Sequence, residues 1–416
     1  MIRRNLTPLI LESLEDSPVV FLRGPRQSGK TTLVRSLLDG EYDARYLTFD
    51  DAGPLAAATA DPDGFVDALP ERVVLDEIQR APGLFRALKR SVDRRRTPGR
   101  FLLTGSANAL VLPRVSESLA GRMETLTLWP FSQGELEGVV EGFVDACFAK
   151  TFPAGRFPGS DWPSLVARIV QGGFPEAVRR AGAARRRAWF EGYVTTLLER
   201  DVRDLTQIHA LRELPRLLRL VAARTSGLLN LADLARDAAL PLTTLQRHWA
   251  LLEAIFFVRT LPPWSGGHTA RLVKAPKVLI CDTGLLCALL DLDAPRLERD
   301  DLMAGAALES FVAVELIRQS AWSRTRPALL HYRTHKQHEV DFVLEDGAGR
   351  IVGIEVKKTA SPGPHDLRGL RSLAEATGKK FVRGLLLHTG ETVVGFGSNL
   401  YAVPVGALWS LGAAVP

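Results

Sequence analysis

Continuous apolar runs alternate with amphipathic stretches along the first third of the chain. PVVFLRG from residue 18, YLTFD from 46, RVVLDEI from 72 and FLLTGSA from 101 are typical of buried strands. Strands that are apolar on both faces need helices on both sides of their sheet. The pattern therefore predicts an α/β domain with a parallel sheet over residues 1–150.

Two more regions follow this domain. Residues 161–224 predict helices, with a break at GGFP, and residues 228–264 predict a helix, a short turn at Leu240 and Pro241, a second helix and an extended hairpin. Those are the parts of a winged helix-turn-helix. From about residue 274 a helix over 305–319, a hairpin over 338–358 and other α/β elements are predicted. We therefore predict a helical lid with a winged helix-turn-helix at 151–270 and an α/β domain at 271–416.

Residues 24–31, GPRQSGKT, fit the phosphate-loop pattern GxxxxGKT between a predicted strand and a predicted helix. Glycines at both ends let successive backbone N–H groups face the phosphates at a helix N-terminus. Lys30 would reach the β and γ phosphates, and the Thr31 hydroxyl would hold Mg²⁺. The sequence thus predicts ATP and Mg²⁺ as cofactors. The predicted nucleotide-binding residues of the loop are Gly24, Pro25, Arg26, Gln27, Ser28, Gly29, Lys30, Thr31 and Thr32.

Two carboxylates, Asp76 and Glu77, end the strand VVLD, at the sheet edge where open α/β sheets bind ligands. Asp76 suits a direct or indirect Mg²⁺ role, and Glu77 suits the polarising of the attacking water. On the next strand Thr104, Ser106 and Asn108 are alternatives for orienting that water.

Arg122 follows in the segment SLAGRM. A guanidinium there would reach the γ phosphate of its own subunit or of a neighbouring subunit, or would simply be solvated.

Charge and composition change this picture little. The net charge of +6 and a pI near 9.4 favour an anionic partner only weakly, and the three cysteines are too few and too scattered for a disulfide framework or zinc site. We find no apolar run long enough for a membrane span and no secretory signal, so we expect a cytoplasmic protein with no membrane partner.

The order of motifs GPRQSGKTTL, LTFDD, VVLDEIQ, LLTGSAN, SLAGR, GGFPEAV and RDV resembles one family over essentially the whole chain. It is the prokaryotic AAA-type ATPases, close to the archaeal ATPase and STAND groups, with a C-terminal domain of unknown function similar to restriction endonucleases. The resemblance implies Asp76 and Glu77 as Walker B and 104–108 as sensor 1. It also implies Arg122 as an arginine finger, Gly173 and Pro175 near the adenine, and Arg200 as a second sensor. If Arg122 acts in trans, the active form is a homo-oligomer.

The second helix of the helix-turn-helix is expected to point polar residues outward, because its apolar positions form one buried stripe. The outward residues are Thr243, Thr244, Gln246, Arg247 and His248. Such side chains can contact phosphates and base edges. A lid or a subunit contact is the alternative use of this fold.

The hairpin 338–358 has a definite expected register. If GAG at 347–349 is a three-residue loop with Gly349 left-handed, three apolar pairs fall on one face: Val340 and Val356, Phe342 and Ile354, Leu344 and Val352. On the other face Asp341 lies opposite Glu355, and Glu339 lies opposite Lys357.

Two facing acids repel unless a cation lies between them, and a divalent metal with oxygen ligands is the natural candidate. Lys357 beside them would stabilise a transition state or help activate water. Asp341, Glu355 and Lys357 resemble the core of the PD-(D/E)xK nucleases, with Val340 in place of the usual Pro, and Glu309 is a further candidate ligand. The alternative is a surface salt bridge between Glu339 and Lys357 with Asp341 solvated.

These patterns lead to two hypotheses. The first is an oligomeric AAA-type ATPase that couples ATP hydrolysis to binding and remodelling or processing of DNA, with branched or single-stranded DNA as candidate forms. The second is a STAND-like nucleotide switch that acts through protein partners and has a catalytically inactive nuclease-fold domain.

Overall fold

A five-stranded parallel sheet forms the first region in the computed structural model, which describes residues 2–106, 119–198, 213–266, 275–334, 338–397 and 399–412. The strands are β1 (Val19–Gly24), β2 (Arg45–Thr48), β3 (Val73–Asp76), β4 (Phe101–Ser106) and β5 (Met123–Thr127). They lie in the order β2-β3-β4-β1-β5, and each adjacent pair is parallel. The predicted α/β fold is confirmed, with β5 as an additional edge strand.

Helices cover both faces of this sheet because its central strands are apolar on both sides. The helices are α1 (Thr7–Asp16), α2 (Lys30–Leu37), α3 (Ala52–Ala60), α4 (Pro62–Asp67) and α5 (Leu84–Arg94). Val19 and Phe21 of β1 belong to the cluster that includes Leu88 of α5. Val20 and Leu22 belong to the cluster with Ile10 of α1 and Val34 of α2. Alternate residues of one strand therefore anchor opposite helical layers.

The middle region is helical, as predicted. Its helices are α6 (Gln133–Glu137), α7 (Phe143–Ala146), α8 (Trp162–Gln171), α9 (Pro175–Val178), α10 (Ala183–Thr196), α11 (Leu214–Ala222), α12 (Leu231–Ala238) and α13 (Leu242–Ala254). Asn230 caps α12, and Ala239 ends it in the left-handed conformation (φ 56°). The predicted helix, turn and helix are thus present as α12 and α13.

Two details of this region differ from expectation. The strand that follows α13, β6 (Val258–Leu261), pairs antiparallel with β7 (Lys277–Ile280), so its partner lies beyond the predicted boundary at residue 270. His248, expected to face outward, is buried, since it follows Leu245 by one helical turn on the core side of α13. Thr243, Gln246 and Arg247 are exposed.

The last region contains a mixed six-stranded sheet. Its helices are α14 (Thr283–Leu289), α15 (Ala294–Arg299), α16 (Asp301–Ser320), α17 (Arg368–Thr377) and α18 (Ala407–Ser410). Its strands are β8 (Ala328–Arg333), β9 (Glu339–Glu345), β10 (Ile351–Lys357), β11 (Phe381–His388), β12 (Val394–Gly395) and β13 (Leu400–Pro404). The order is β12-β13-β11-β10-β9-β8, with β11 parallel to both β10 and β13.

The hairpin of β9 and β10 has the expected register. Phe342 pairs with Ile354, Leu344 pairs with Val352, and Gly349 is left-handed at φ 73°. Val340 departs from the prediction, because it packs in a different cluster from Phe342 and Leu344. The pairing of β9 with β8 shifts register between Leu330 and Tyr332, and such a bulge turns the residues beyond it to the other face.

One hydrophobic cluster joins the middle and last regions. It extends from Trp129, just after β5, to Trp409 in α18, and includes the helix-turn-helix residues Leu245 and Leu252. The three cysteines are free and buried. Among the described residues, no helix combines the length and apolar character that a bilayer crossing requires.

Candidate functional site

The loop between β1 and α2 has the backbone of a phosphate cradle. Gly29 is left-handed at φ 96° and directly precedes α2. A Cβ on Gly24 would lie 2.2 Å from the carbonyl oxygen of Leu128, just after β5. A residue larger than glycine would therefore clash with this segment where the loop leaves β1. The loop therefore starts in a close backbone contact and ends at a helix N-terminus, where anions bind favourably.

Lys30 closes this loop from within. Its Nζ donates to the carbonyl oxygens of Gly24 at 3.0 Å and Pro25 at 2.8 Å. Burial lowers the pKa of Lys30 to about 8, an effect that the carboxylates of Glu77 and Asp76 partly oppose. An anion in the cradle would offset the free-energy cost of burying this ammonium group.

Asp76 lies at the centre of a set of hydroxyl groups at the end of β3. Thr31 Oγ1 donates to its Oδ2 at 2.9 Å and the Tyr46 hydroxyl donates to the same oxygen at 2.6 Å. Thr104 donates to Oδ1. Thr31 and Asp76 thus place two hard oxygen donors side by side, and these fit Mg²⁺.

Glu77 turns out of β3 by a left-handed residue, with φ 58° and ψ 42°. Such a conformation costs about 1–3 kcal/mol for a residue with a side chain. The Glu77 backbone N–H donates to Thr104 Oγ1 at 3.3 Å, and Gln79 Nε2 donates to the Glu77 carboxylate. Burial raises the pKa of Glu77, and the hydrogen bond from Gln79 and the positive charge of Lys30 partly oppose this increase. A more basic carboxylate is a better acceptor for the proton of an attacking water.

A cavity of about 1060 Å³ opens in front of these residues. This is ample for a nucleotide, since small-molecule pockets usually measure roughly 300–1,000 Å³. Of the predicted site residues it is lined by Arg26, Gln27, Gly29, Lys30, Thr31, Thr32, Glu77 and Pro175. Pro175 Cγ lies 3.9 Å from the position that a Cβ on Gly29 would occupy. The start of α9 therefore lies next to the phosphate loop, and the position of Pro175 near an adenine stays a prediction.

Other predicted residues lie elsewhere. Arg122 is not among the residues that line this cavity. Its Nε donates to Asp93 Oδ1 at 2.5 Å and its Nη1 donates to the Ala120 carbonyl at 3.0 Å. Gly173 serves packing, since a Cβ there would lie 2.2 Å from the Phe131 carbonyl oxygen. Asn108 and Arg200 lie outside the described residues.

Arg4 was not predicted from the sequence, yet it lines the cavity and holds the loop. Its Nη1 donates to the Ser28 carbonyl at 3.0 Å, and its guanidinium lies 4.5 Å from the Phe131 ring centroid. Its Nε pairs with Glu135 Oε1 at 3.1 Å. No motif surrounds Arg4, so only tertiary structure shows this contact.

A series of buried charged side chains extends from Arg4 into the last region of the chain. We call this series the buried relay, and its members are Arg4, Glu135, Glu315, Arg318 and Asp282. Glu315 Oε2 accepts from the Gln133 backbone N–H at 2.9 Å, beside Glu135 in α6. Arg318 pairs with Glu315 at 2.6 Å and with Asp282 at 2.9 Å. Asp282 accepts from the Gly173 N–H at 2.8 Å, two residues before Pro175. The relay thus links the phosphate loop, the lid and α16.

The predicted acidic patch of the last region contains a lysine that the sequence did not suggest. Lys277 Nζ lies 2.7 Å from Glu309 Oε1 and 3.1 Å from Asp341 Oδ1. Although burial opposes it, these two carboxylates raise the pKa of Lys277. The other Asp341 oxygen accepts from the Val356 N–H at 2.9 Å. A buried ammonium group therefore neutralises the acids.

Glu355 and Lys357 lie next to this cluster. Lys357 Nζ pairs with Glu355 Oε1 at 2.9 Å, while Glu355 Oε2 is buried and has no hydrogen-bond partner among the described residues. Burial first, and then the Asp341 carboxylate, raise the pKa of Glu355. Glu339 pairs with Arg333 at 3.7 Å and not with Lys357. The described residues contain no group of three or more His, Cys, Asp or Glu placed to hold a metal ion, and the metal role of Asp341, Glu355 and Glu309 stays a prediction.

The sheet order β2-β3-β4-β1-β5 and the phosphate loop with Asp76 and Glu77 together define a P-loop ATPase of the AAA type. An AAA domain family matches residues 16–137, and two domains of unknown function, DUF8612 and DUF4143, match residues 163–296 and 304–408.

Two mycobacterial proteins are similar over the whole chain. The uncharacterized protein Rv2008c of Mycobacterium tuberculosis is 33% identical over 412 residues, covering 99% of this chain and 85% of that protein. The uncharacterized protein Mb2031c of Mycobacterium bovis matches with the same values. A solved structure of a Thermotoga maritima RuvB variant is 18% identical and covers 61% of this chain and 87% of that chain, with a TM-score of 0.28. The chain belongs to the family of prokaryotic AAA-type ATPases that contains the two mycobacterial proteins.

Proposed function

We propose that the protein hydrolyses ATP and couples turnover to the binding and remodelling of DNA. The observation that carries the ATPase proposal is the convergence of Lys30, Thr31 and Glu77 on one large cavity at the carboxyl ends of β1 and β3, with buried Asp76 bonded to Thr31 behind it. Thr31 and Asp76 would hold Mg²⁺, which supplies charge neutralisation at the phosphates. Lys30 exchanges its carbonyl partners for phosphate oxygens, and Glu77 orients the attacking water.

The DNA part of the proposal is supported by the exposed side of α13. Thr243, Gln246 and Arg247 are exposed there and carry groups that contact phosphates and base edges. The net charge of +6 favours association with a polyanion. In DNA-binding helix-turn-helix proteins, the second helix usually carries such residues and contacts the bases in the major groove.

DNA-stimulated turnover tests this coupling. We expect single-stranded, branched or duplex DNA to increase ATP hydrolysis, and the increase to fall as salt rises, because phosphate contacts release counterions. Arg247→Ala should reduce the stimulation without changing turnover in the absence of DNA. Arg236→Ala is the matched control, since Arg236 is an exposed arginine on the neighbouring helix that pairs with Asp233. An ATP hydrolysis rate that does not change on addition of any of these DNA forms would contradict the proposal.

A second function is favoured by one observation, the Lys277 ammonium between Glu309 and Asp341. A nuclease-fold domain whose acids are neutralised by a lysine suits the STAND-like switch, in which that domain acts as a scaffold for protein partners. If the protein is such a switch, ATP turnover should be slow, the nucleotide should stay tightly bound, and the addition of DNA should change neither. This result would distinguish the second function from the first.

For the last region we predict that Mg²⁺ or Mn²⁺ supports no DNA cleavage by the wild-type protein, because Lys277 occupies the space between the acids. Lys277→Ala should allow Mn²⁺ to bind at Glu309 and Asp341, as measured by calorimetry against Lys277→Ala combined with Asp341→Asn as control. The opposite result is equally clear. Metal-dependent cleavage that Asp341→Ala and Lys357→Ala both remove, while ATP hydrolysis persists, would assign a nuclease with Asp341, Glu355 and Glu309 as ligands.

A further inference from the structure

A second cavity lies beside β5, where three parts of the chain meet. It measures about 510 Å³ and is bounded by β5, by the end of α13 with β6, and by the end of α16. Three arginines line it, Arg23, Arg259 and Arg326, together with the aromatic residues Trp129 and Phe256. We call it the arginine cavity.

Aromatic rings hold the two inner arginines in place. The Arg23 guanidinium lies 6.0 Å from the Phe256 ring centroid, and the Arg259 guanidinium lies 5.7 Å from the Trp129 ring centroid. The two rings contact each other edge to face at 5.3 Å. Arg23 Nε also donates to Thr127 Oγ1 at 3.2 Å. Cation–π contacts fix the planes of the guanidinium groups and leave N–H donors at their edges available.

Neither inner arginine has a carboxylate partner within salt-bridge distance in the part of the chain that the structure describes. Burial lowers the pKa of Arg23. Burial and then the neighbouring charge of Arg23 lower the pKa of Arg259. Arginine nevertheless stays charged in proteins. Two positive charges are therefore held close together in a partly enclosed space, which costs free energy that an anion between them would offset.

The acidic residues of the cavity do not cancel this charge. Glu253 already accepts from Thr260 Oγ1 at 2.9 Å, and it opposes the lowering of the Arg259 pKa. Glu124 lies 3.6 Å from Arg326, whose side chain is 56% exposed at the rim. Among the described residues that line the cavity, three guanidinium groups thus face two carboxylates, and Arg326 is the one that forms a salt bridge. The excess positive charge belongs to Arg23 and Arg259.

We propose that the arginine cavity binds a phosphate-bearing ligand, through Arg23 and Arg259. The planar forked donors of arginine match phosphate oxygens, and the volume exceeds what a simple inorganic anion needs. The phosphate belongs either to a free mononucleotide or to a nucleic-acid strand, and aromatic residues beside arginines are a usual feature of sites for both. This inference does not depend on DNA-coupled ATP turnover.

The test is made in the Lys30→Ala background, so that the phosphate loop does not contribute to binding. Calorimetry at low salt would use inorganic phosphate, uridine monophosphate and a short 5′-phosphorylated oligothymidylate. We expect at least one of them to bind, and Arg23→Gln and Arg259→Gln each to weaken binding about tenfold or more, as for loss of a charge-assisted hydrogen bond. Arg156→Gln, which removes an exposed arginine paired with Glu391, should leave binding unchanged.

Each outcome has a definite meaning. Binding of the mononucleotide or of inorganic phosphate assigns a small phosphate ligand, and binding of the oligonucleotide alone assigns a nucleic-acid strand. Absence of binding by all three probes at low salt, or equal weakening by Arg156→Gln, overturns the proposal. Thermal unfolding provides the folding control, because removal of an uncompensated charge should not lower the unfolding midpoint. If a glutamine variant does not fold, Arg259→Lys keeps the charge but loses the forked donors, and it should still weaken binding.

Discussion

Glu77→Gln is expected to bind MgATP with near-normal affinity and to hydrolyse it at least about a hundredfold more slowly than the wild-type protein. The substitution spares the phosphate loop but removes the carboxylate that accepts the proton of the attacking water, and groups of this kind contribute about 10²–10⁴-fold to a rate. Lys30→Ala should instead abolish nucleotide binding or turnover, because the Lys30 ammonium group lies inside the predicted phosphate loop, bonded to the Gly24 and Pro25 carbonyl oxygens. Equilibrium binding and steady-state phosphate release separate the two effects.

Matched substitutions outside the cavity serve as controls for this experiment. Glu71→Gln removes an exposed carboxylate that pairs with Arg95, and Lys150→Ala removes an exposed lysine. Both should leave turnover unchanged. Near-normal turnover in Glu77→Gln would assign the positioning of water to another residue of the site, with Thr104 the first to examine because it contacts both Asp76 and Glu77.

Arg122→Ala is expected to lower the turnover number by about 10³-fold or more without lowering ATP affinity, because an arginine finger stabilises charge mainly in the transition state. The Arg122 side chain pairs with Asp93 in its own subunit, so we expect it to serve the cavity of a neighbouring subunit. Mixing Arg122→Ala with Lys30→Ala protein should then restore part of the activity. Phosphate release from each protein alone and from the mixture measures this.

The assembly state provides an independent check on Arg122. A protein that stays monomeric in MgATP at micromolar concentration, with full activity, would exclude action in trans. Arg90→Ala is a suitable control, since Arg90 is an arginine of the same helix as Asp93 and pairs with exposed Asp63. It should change neither turnover nor complementation.

Local patterns predicted the strand, loop and helix of the candidate nucleotide site, because these elements are encoded in short segments. The loop from Gly24 to Thr31 contains its own turn residues, its cation and its proposed metal ligand, and the two carboxylates lie at the end of a buried strand. The hairpin register was predictable for the same reason, since a left-handed glycine and an alternating pattern determine it locally. Which DNA or protein partner the chain has remains a proposal, because no local segment encodes it.

Contacts between distant segments were not predictable. Val340 turns to the other face because β8 pairs with β9 through a register shift, and nothing in β9 alone signals that shift. Lys277 approaches Asp341 from another strand pair, and Arg4 reaches Ser28 from ahead of α1. Asp282 could have been noticed in the sequence, since it comes two residues after the buried strand β7 and directly before a helix. The predicted function of Arg122 depends on a neighbouring subunit, which a single sequence does not describe.

The common core of the middle and last regions, together with the pairing of β6 with β7, has a consequence for the history of this chain. A recombination event near residue 270 would separate two paired strands and would have to match apolar surfaces that extend from Trp129 to Trp409. The buried relay adds two hydrogen bonds that cross such a junction, from the Gln133 N–H to Glu315 and from the Gly173 N–H to Asp282. We therefore expect these two regions to have been inherited and to have diverged as one unit, so that trees built separately from residues 163–270 and 271–408 of its relatives should have the same branching order.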